Sequence, residues 1–109
     1  MKKGEIWLVD IPKSGEGHEQ YGSRPVCIIS EGEANTKVII PFTSNLKAMK
    51  FKNVFEVKPD KNNNLKETSV ALIFQVRSID RRRLKHRIGR LDNETLQMIN
   101  SMLIEFLKS

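Results

Sequence analysis

The sequence predicts a mainly β chain with one C-terminal helix (an α+β arrangement), folded as a small, strongly curved antiparallel barrel. Five or six short apolar segments are separated by turns rich in glycine, proline and asparagine. The last segment has helical spacing and an apolar stripe that needs a sheet to cover. With 109 residues and no linker long enough to divide them, the chain reads as a single domain over 1–109.

Ile6 to Asp10 reads as a strand with apolar residues on both faces, placed deep in the fold. Pro12, Gly15, Gly17 and Gly22 punctuate the loop that follows. Pro25 to Ser30 and Lys37 to Phe42 read as the second and third strands, joined by a turn at GEAN. The lysine-rich connection SNLKAMKFK leads to a fourth strand, Asn53 to Lys58, and the polar turn PDKNNNLK to a fifth, Ser69 to Val76. Asp80 is placed to cap a helical turn through Arg83 and Leu84, and His86 to Leu91 reads as a last short strand. Asp92 then serves as an N-cap, with Glu94 in the first turn, where it complements the helix dipole. Leu96, Ile99, Leu103, Phe106 and Leu107 follow at helical spacing.

Composition excludes several classes. The longest apolar run is five residues, Val70 to Phe74, against roughly 20 for a membrane-spanning helix. The start, MKKGEIWLVD, lacks the apolar region and cleavage site of a signal peptide, so a cytoplasmic protein is expected. The lone Cys27 lies in PVCIIS and reads as a buried core residue. With His18 and His86 it forms no zinc spacing, so no metal or cofactor is expected. Trp7, Phe42 and Phe55 read as core, and Tyr21 either stacks on a base or packs.

Charge is concentrated. The net charge of +6 lies wholly between positions 77 and 90, where Arg77, Arg81, Arg82, Arg83, Lys85, Arg87 and Arg90 face only Asp80. Such a patch suits a polyanion, nucleic acid first, with a solvated face or a recognition surface for an acidic protein as the alternative.

The loop GHEQYGSRPV concentrates reactive groups, with His18, Glu19, Gln20 and Arg24 between glycines and a proline. Pro25 biases Arg24 to an extended conformation at the mouth of a strand, which suits a fixed cation. Thr43 and Ser44 stand where the third strand ends; there they either cap a turn or present hydroxyls to a cleft. If the second and third strands pair antiparallel, Arg24 and Thr43 come to the same rim. A guanidinium for phosphate charge, a hydroxyl donor and a group that moves protons would suffice to cut RNA by attack of its own 2'-hydroxyl.

GEIWLVDIP, GHEQYGSRPVCIIS, VIIPFTSN, FQVRSIDRRRL and IGRL before the closing helix resemble the MazF/PemK toxins, including their Kid-like branch. The resemblance runs from Gly4 to Leu107 with the motifs in family order. It implies an SH3-like barrel, a homodimer, and a sequence-selective, metal-independent endoribonuclease of a toxin–antitoxin pair. The cut would leave a 2',3'-cyclic phosphate and a 5'-hydroxyl. Carried over by residue, Arg24 would be the principal catalytic group and Thr43 its partner, with Glu19 needed for activity and His18 a proton-transfer group. Gln20, Ser44, Asn45, Gln75, Arg77, Arg81 and Arg83 are the candidate RNA-binding residues. The Kid-like Arg and Asp before the glutamine are replaced here by Leu72 and Phe74, so that acid–base pair is absent. Expected partners are single-stranded RNA and a cognate antitoxin with an acidic tail, for which Met49 and Phe51 are candidate apolar contacts. The competing reading is a CcdB-like toxin that poisons gyrase by binding alone, which would need neither Arg24 nor Thr43.

Overall fold

The computed structural model describes residues 1–11, 22–33 and 35–109. Seven strands form one antiparallel sheet: β1 (Glu5–Ile11), β2 (Gly22–Ser30), β3 (Thr36–Thr43), β4 (Val54–Val57), β5 (Ser69–Leu72), β6 (Arg77–Asp80) and β7 (Leu84–Arg90). The helix α1 (Asn93–Lys108) follows. The main path runs β4-β5-β3-β2-β1-β7, with β6 on β3, and no pairing among the described residues closes it into a complete barrel. The fold class is the one expected; the sheet curls without closing.

Strands β1, β2 and β3 are apolar on both faces because each face covers a separate core. Ile6, Cys27, Ile40 and Phe42 turn to one core, which also contains Ile99 of α1 and is packed by Leu96, Leu103 and Phe106. Val9, Val26, Ile28 and Ile39 turn to the other, under Ile79 and Leu84. The helix begins as expected, Asp92 Oδ1 accepting the Thr95 N–H at 2.7 Å. Leu107 does not belong to the buried stripe; it is 67% exposed at the helix end.

The expected fifth strand, Ser69 to Val76, stops at Leu72, and a further strand, β6, follows beyond its expected end. β5 pairs with the end of β3, Phe42 opposite Ala71, and β6 with its start, Ile39 opposite Arg77. A 3-10 turn over Ile73–Gln75 separates them and shifts the register by three residues. Asp80 caps the next turn, Arg81–Arg83, as anticipated. The lysine-rich connection is also a 3-10 turn, Leu46–Lys50, capped by Asn45.

The polar turn after β4 folds back on β7. Asn63, only 1% exposed, is its hub: its Oδ1 accepts the N–H groups of Asp60 and Leu65, and its Nδ2 donates to Lys58 O. Arg90 N–H donates to Asn62 O and Asn64 Nδ2 to Ile88 O. The approach is so close that a Cβ on Gly89 would lie 2.5 Å from the carbonyl oxygens of Asn62 and Asn63. Asn64 takes a left-handed φ of 54°, which asparagine tolerates. This turn forms one wall of the cleft described next.

Candidate active site

β2 meets β3 with Val26 opposite Pro41, Cys27 opposite Ile40 and Ile28 opposite Ile39. Continued by two residues, that register sets Arg24 opposite Thr43. Directly opposed residues point to one face, with Cβ atoms about 5 Å apart. The antiparallel pairing expected from the sequence therefore brings the guanidinium-bearing residue and the hydroxyl-bearing residue to one rim. Both line an open cleft of about 710 Å³. Ser23, Pro25 and Ser44 share that rim, Leu8 and Phe42 supply apolar lining, and Asn64, Lys66 and Glu67 come from the folded-back turn. His86, Arg87 and Ile88 of β7 complete it.

Thr43 does both things that a hydroxyl at a strand end can do. It lines the cleft, and its Oγ1 accepts the Asn45 N–H at 3.2 Å, which starts the turn after β3. It is only 5% exposed, so its position is set by packing. The hydroxyl hydrogen can still be donated while the oxygen accepts. Ser44 is exposed beside it.

The other expected residues are distributed differently. His18, Glu19, Gln20 and Tyr21 lie outside the described residues. Asn45 accepts the Lys47 N–H through Oδ1 and caps the 3-10 turn. Gln75 sits in the turn between β5 and β6 and Arg77 on β6; neither borders the cleft. Arg81 and Arg83 lie beyond β6, where Arg81 N–H donates to Asn35 O next to the start of β3, the end away from Thr43. They form an exposed cationic surface apart from the cleft lining.

Among the described residues, carboxylates engage three of the seven cations in the basic segment. Arg82 forks onto Asp80, at 3.1 Å from Nε to Oδ1 and 2.8 Å from Nη2 to Oδ2, and these contacts hold the Asp80 carboxyl down at about 2. Lys85 pairs with Asp10 at 3.0 Å and Arg87 with Glu5 at 3.2 Å. Two of those carboxylates come from β1, a contribution invisible when charge is counted along the sequence. Glu5 also accepts from the Lys2 backbone N–H at 2.9 Å and the Trp7 indole at 3.1 Å, and meets the Met1 amino group at 3.3 Å. Burial works to raise its pKa, but those donors and the amino charge outweigh it and hold Glu5 at about 2. Arg87 thus reaches the cleft from an anchored base.

Sequence reading missed the β7 wall and the folded-back turn. His86, Arg87, Lys66 and Glu67 reach the cleft by long-range contacts, which no local spacing reveals. Cys27 is fully buried as expected, its thiol pushed up to about 12 by that burial and thus unreactive. Among the described residues, no group of three His, Cys, Asp or Glu side chains is arranged to hold a metal ion.

Comparison with known proteins identifies the family and the fold. The model of a family described as the PemK-like, MazF-like toxin of type II toxin–antitoxin systems matches residues 2–107. Endoribonuclease MazF of Staphylococcus saprophyticus is 29% identical over 107 residues, 94% of this chain and 88% of that protein. The crystal structure of MazF from Deinococcus radiodurans superposes with a TM-score of 0.78 at 25% identity, covering 100% of this chain and 97% of that one. A MazE–MazF complex from the same organism has a TM-score of 0.72 at 19% identity, covering 98% and 94%, which is a likeness of fold.

Proposed function

The chain belongs to the PemK/MazF toxins of type II toxin–antitoxin systems and is an endoribonuclease, and from that premise we propose how its cleft cuts RNA. Single-stranded RNA enters with one phosphodiester against Arg24 and Thr43. The guanidinium and the threonine hydroxyl bind its non-bridging oxygens and stabilise the charge that builds as the adjacent 2'-hydroxyl attacks. The O2'–P bond forms and the P–O5' bond breaks, leaving a 2',3'-cyclic phosphate and a 5'-hydroxyl. Charge stabilisation comes from the guanidinium, so the reaction needs no metal ion. The observation that supports this reading is that Arg24 and Thr43, just beyond the last paired residues of β2 and β3, line the same cleft. A gyrase poison would have no use for that pairing.

Glu19 and His18 precede Arg24 in the chain and are assigned to the same reaction, His18 to proton transfer. A homodimer and an antitoxin with an acidic tail complete the assignment. Exposed Leu46 and Met49 beside Lys47 and Lys50 offer such a tail apolar and cationic contacts. Phe51 is less available, being packed against Phe74 at 5.4 Å between ring centroids.

The test is cleavage of a long RNA in the presence of EDTA, with both new ends mapped. Cyclic phosphate and 5'-hydroxyl ends are expected from the wild-type protein, and Arg24→Ala should lower the rate roughly 10²-fold or more. Near-normal cleavage by that variant would remove Arg24 from the mechanism.

A further inference from the structure

We propose that His86 is the general acid of this reaction, giving the proton that the departing 5'-oxygen requires. The inference rests on the assignment of Arg24 and Thr43 above and extends it to the opposite wall of the cleft.

The first observation is register. Leu8 of β1 lies between Pro25 of β2 and His86 of β7, directly opposite both. Opposed residues share a face, so His86 shares that of Leu8 and Pro25, whereas Arg24 is opposite Val9 on the other face; the strands bring both to the rim, where His86, Arg24 and Thr43 line one cleft. At the usual spacing of neighbouring strands the separation is about 10 Å. Side chains reaching inward from the two walls can hold one phosphodiester with its ribose between them.

The second observation is independent of the first. Along a regular strand only alternate residues face one side. On β7 the consecutive residues His86, Arg87 and Ile88 all line the cleft. Register shifts against β1 flank this stretch, between Ile6 and Trp7 and between Leu8 and Val9, so that Lys85 and Ile88 are the extra residues. Bulges of this kind re-aim side chains and recur beside active sites. The second one frees His86 from the pattern that turns Leu84 into the core.

The third observation is chemical. Among the described residues that line the cleft, His86 is the one imidazole and Glu67 the one carboxylate, the two side-chain types there that serve as proton donors in catalysis. A phosphodiester held by Arg24 puts a negative charge in the cleft, which attracts a cationic donor and repels a carboxylate. The imidazolium is the form that donates. Its surroundings are mixed: Arg24 on β2, Lys66 and Glu67 on the folded-back turn, Arg87 paired with Glu5, and Lys85 paired with Asp10.

In the step assigned to it, the 2'-hydroxyl loses its proton to water and the O2'–P bond forms. As the P–O5' bond breaks, its electron pair goes to O5', which takes the proton from the imidazolium. Neutral imidazole remains and is reprotonated from water.

Replacing the bridging 5'-oxygen with sulfur tests this directly, because a thiolate leaves without protonation. His86 is exposed, so His86→Gln should keep the wild-type melting temperature. On ordinary RNA this variant should be about 10²-fold slower. On RNA with a single 5'-bridging sulfur at the cut site it should match the wild-type protein. Arg24→Ala should be slow on both substrates. Wild-type rates from His86→Gln on ordinary RNA would overturn the proposal, as would an equal deficit on both linkages. Restoration by sulfur of Glu67→Gln in place of His86→Gln would overturn it too. Near-normal cleavage by Arg24→Ala is a separate outcome, which refutes the underlying site.

Discussion

Thr43 holds the fold at the end of β3, and in the proposed mechanism it serves the reaction as well. Its hydroxyl oxygen holds the Asn45 N–H, and its hydrogen is assigned to the phosphate. Thr43→Val should lose both and lower stability by about 1 kcal/mol, the scale of one net hydrogen bond. Thr43→Ser should restore cleavage, since the hydroxyl returns, with a smaller loss in melting temperature. Glu5 gives a second prediction at this scale. Its folded-state pKa of about 2 lies below the ordinary 4.5, so it stabilises the fold fully above pH 4.5. That contribution fades as the pH falls through the folded value. Glu5→Gln should therefore lower the melting temperature at pH 7 and flatten its dependence between about pH 4.5 and 2. An unchanged acid profile would show that the network around Glu5 contributes nothing. Arg24 and Thr43 were legible in the sequence because their signals are local: an arginine before a proline, and hydroxyls at the end of an apolar run. His86 was not, since its place depends on two bulges and on Leu8, 78 positions earlier in the chain.

Among elements, the turn from Asp60 to Leu65 does for the cleft what a lining strand would do elsewhere. It rests on β7 at Gly89, where any Cβ meets two carbonyl oxygens of the turn. Gly89→Ala must push the turn away, and because Asn64 lies in it and Lys66 and Glu67 follow directly, the cleft wall moves with it. A loss of about 1–3 kcal/mol is expected, the range for forced overpacking. Activity should fall without any loss of a cleft side chain, which thermal melting and cleavage assays on the same sample would separate. Wild-type stability in Gly89→Ala would mean that the turn yields freely. Element boundaries were legible where chemistry punctuates them, as at Asp80 and Asp92. The break inside SVALIFQV was not, for the segment has neither glycine nor proline. Only pairing with the two halves of β3 reveals it. Leu107 fits the helical period, yet the sheet ends before it.

Across the whole molecule, charge and chemistry occupy different surfaces. The cleft holds Arg24, Lys66 and Arg87, whereas Arg81 and Arg83 project from beyond β6. Arg82 and Lys85 are committed to Asp80 and Asp10. If RNA threads the cleft and continues across the exposed arginines, affinity and rate should separate under mutation. With about four phosphates neutralised, log K should fall against log salt with a slope near −3 for a single strand. Changing both Arg81 and Arg83 to Ala should make that slope shallower by about 1.4, or 0.7 per contact. The rate at saturating RNA should not change, because neither residue touches the reacting phosphate. Arg82→Ala should shift the slope less, its charge being already matched by Asp80. An acidic antitoxin tail would be drawn to the same exposed arginines, so the double variant should also weaken antitoxin binding and make it less sensitive to salt. Titrating RNA and antitoxin against wild-type and double-variant protein over a range of salt distinguishes the cases. A slope unaltered for RNA but shallower for antitoxin would assign this surface to the inhibitor alone and confine RNA to the cleft.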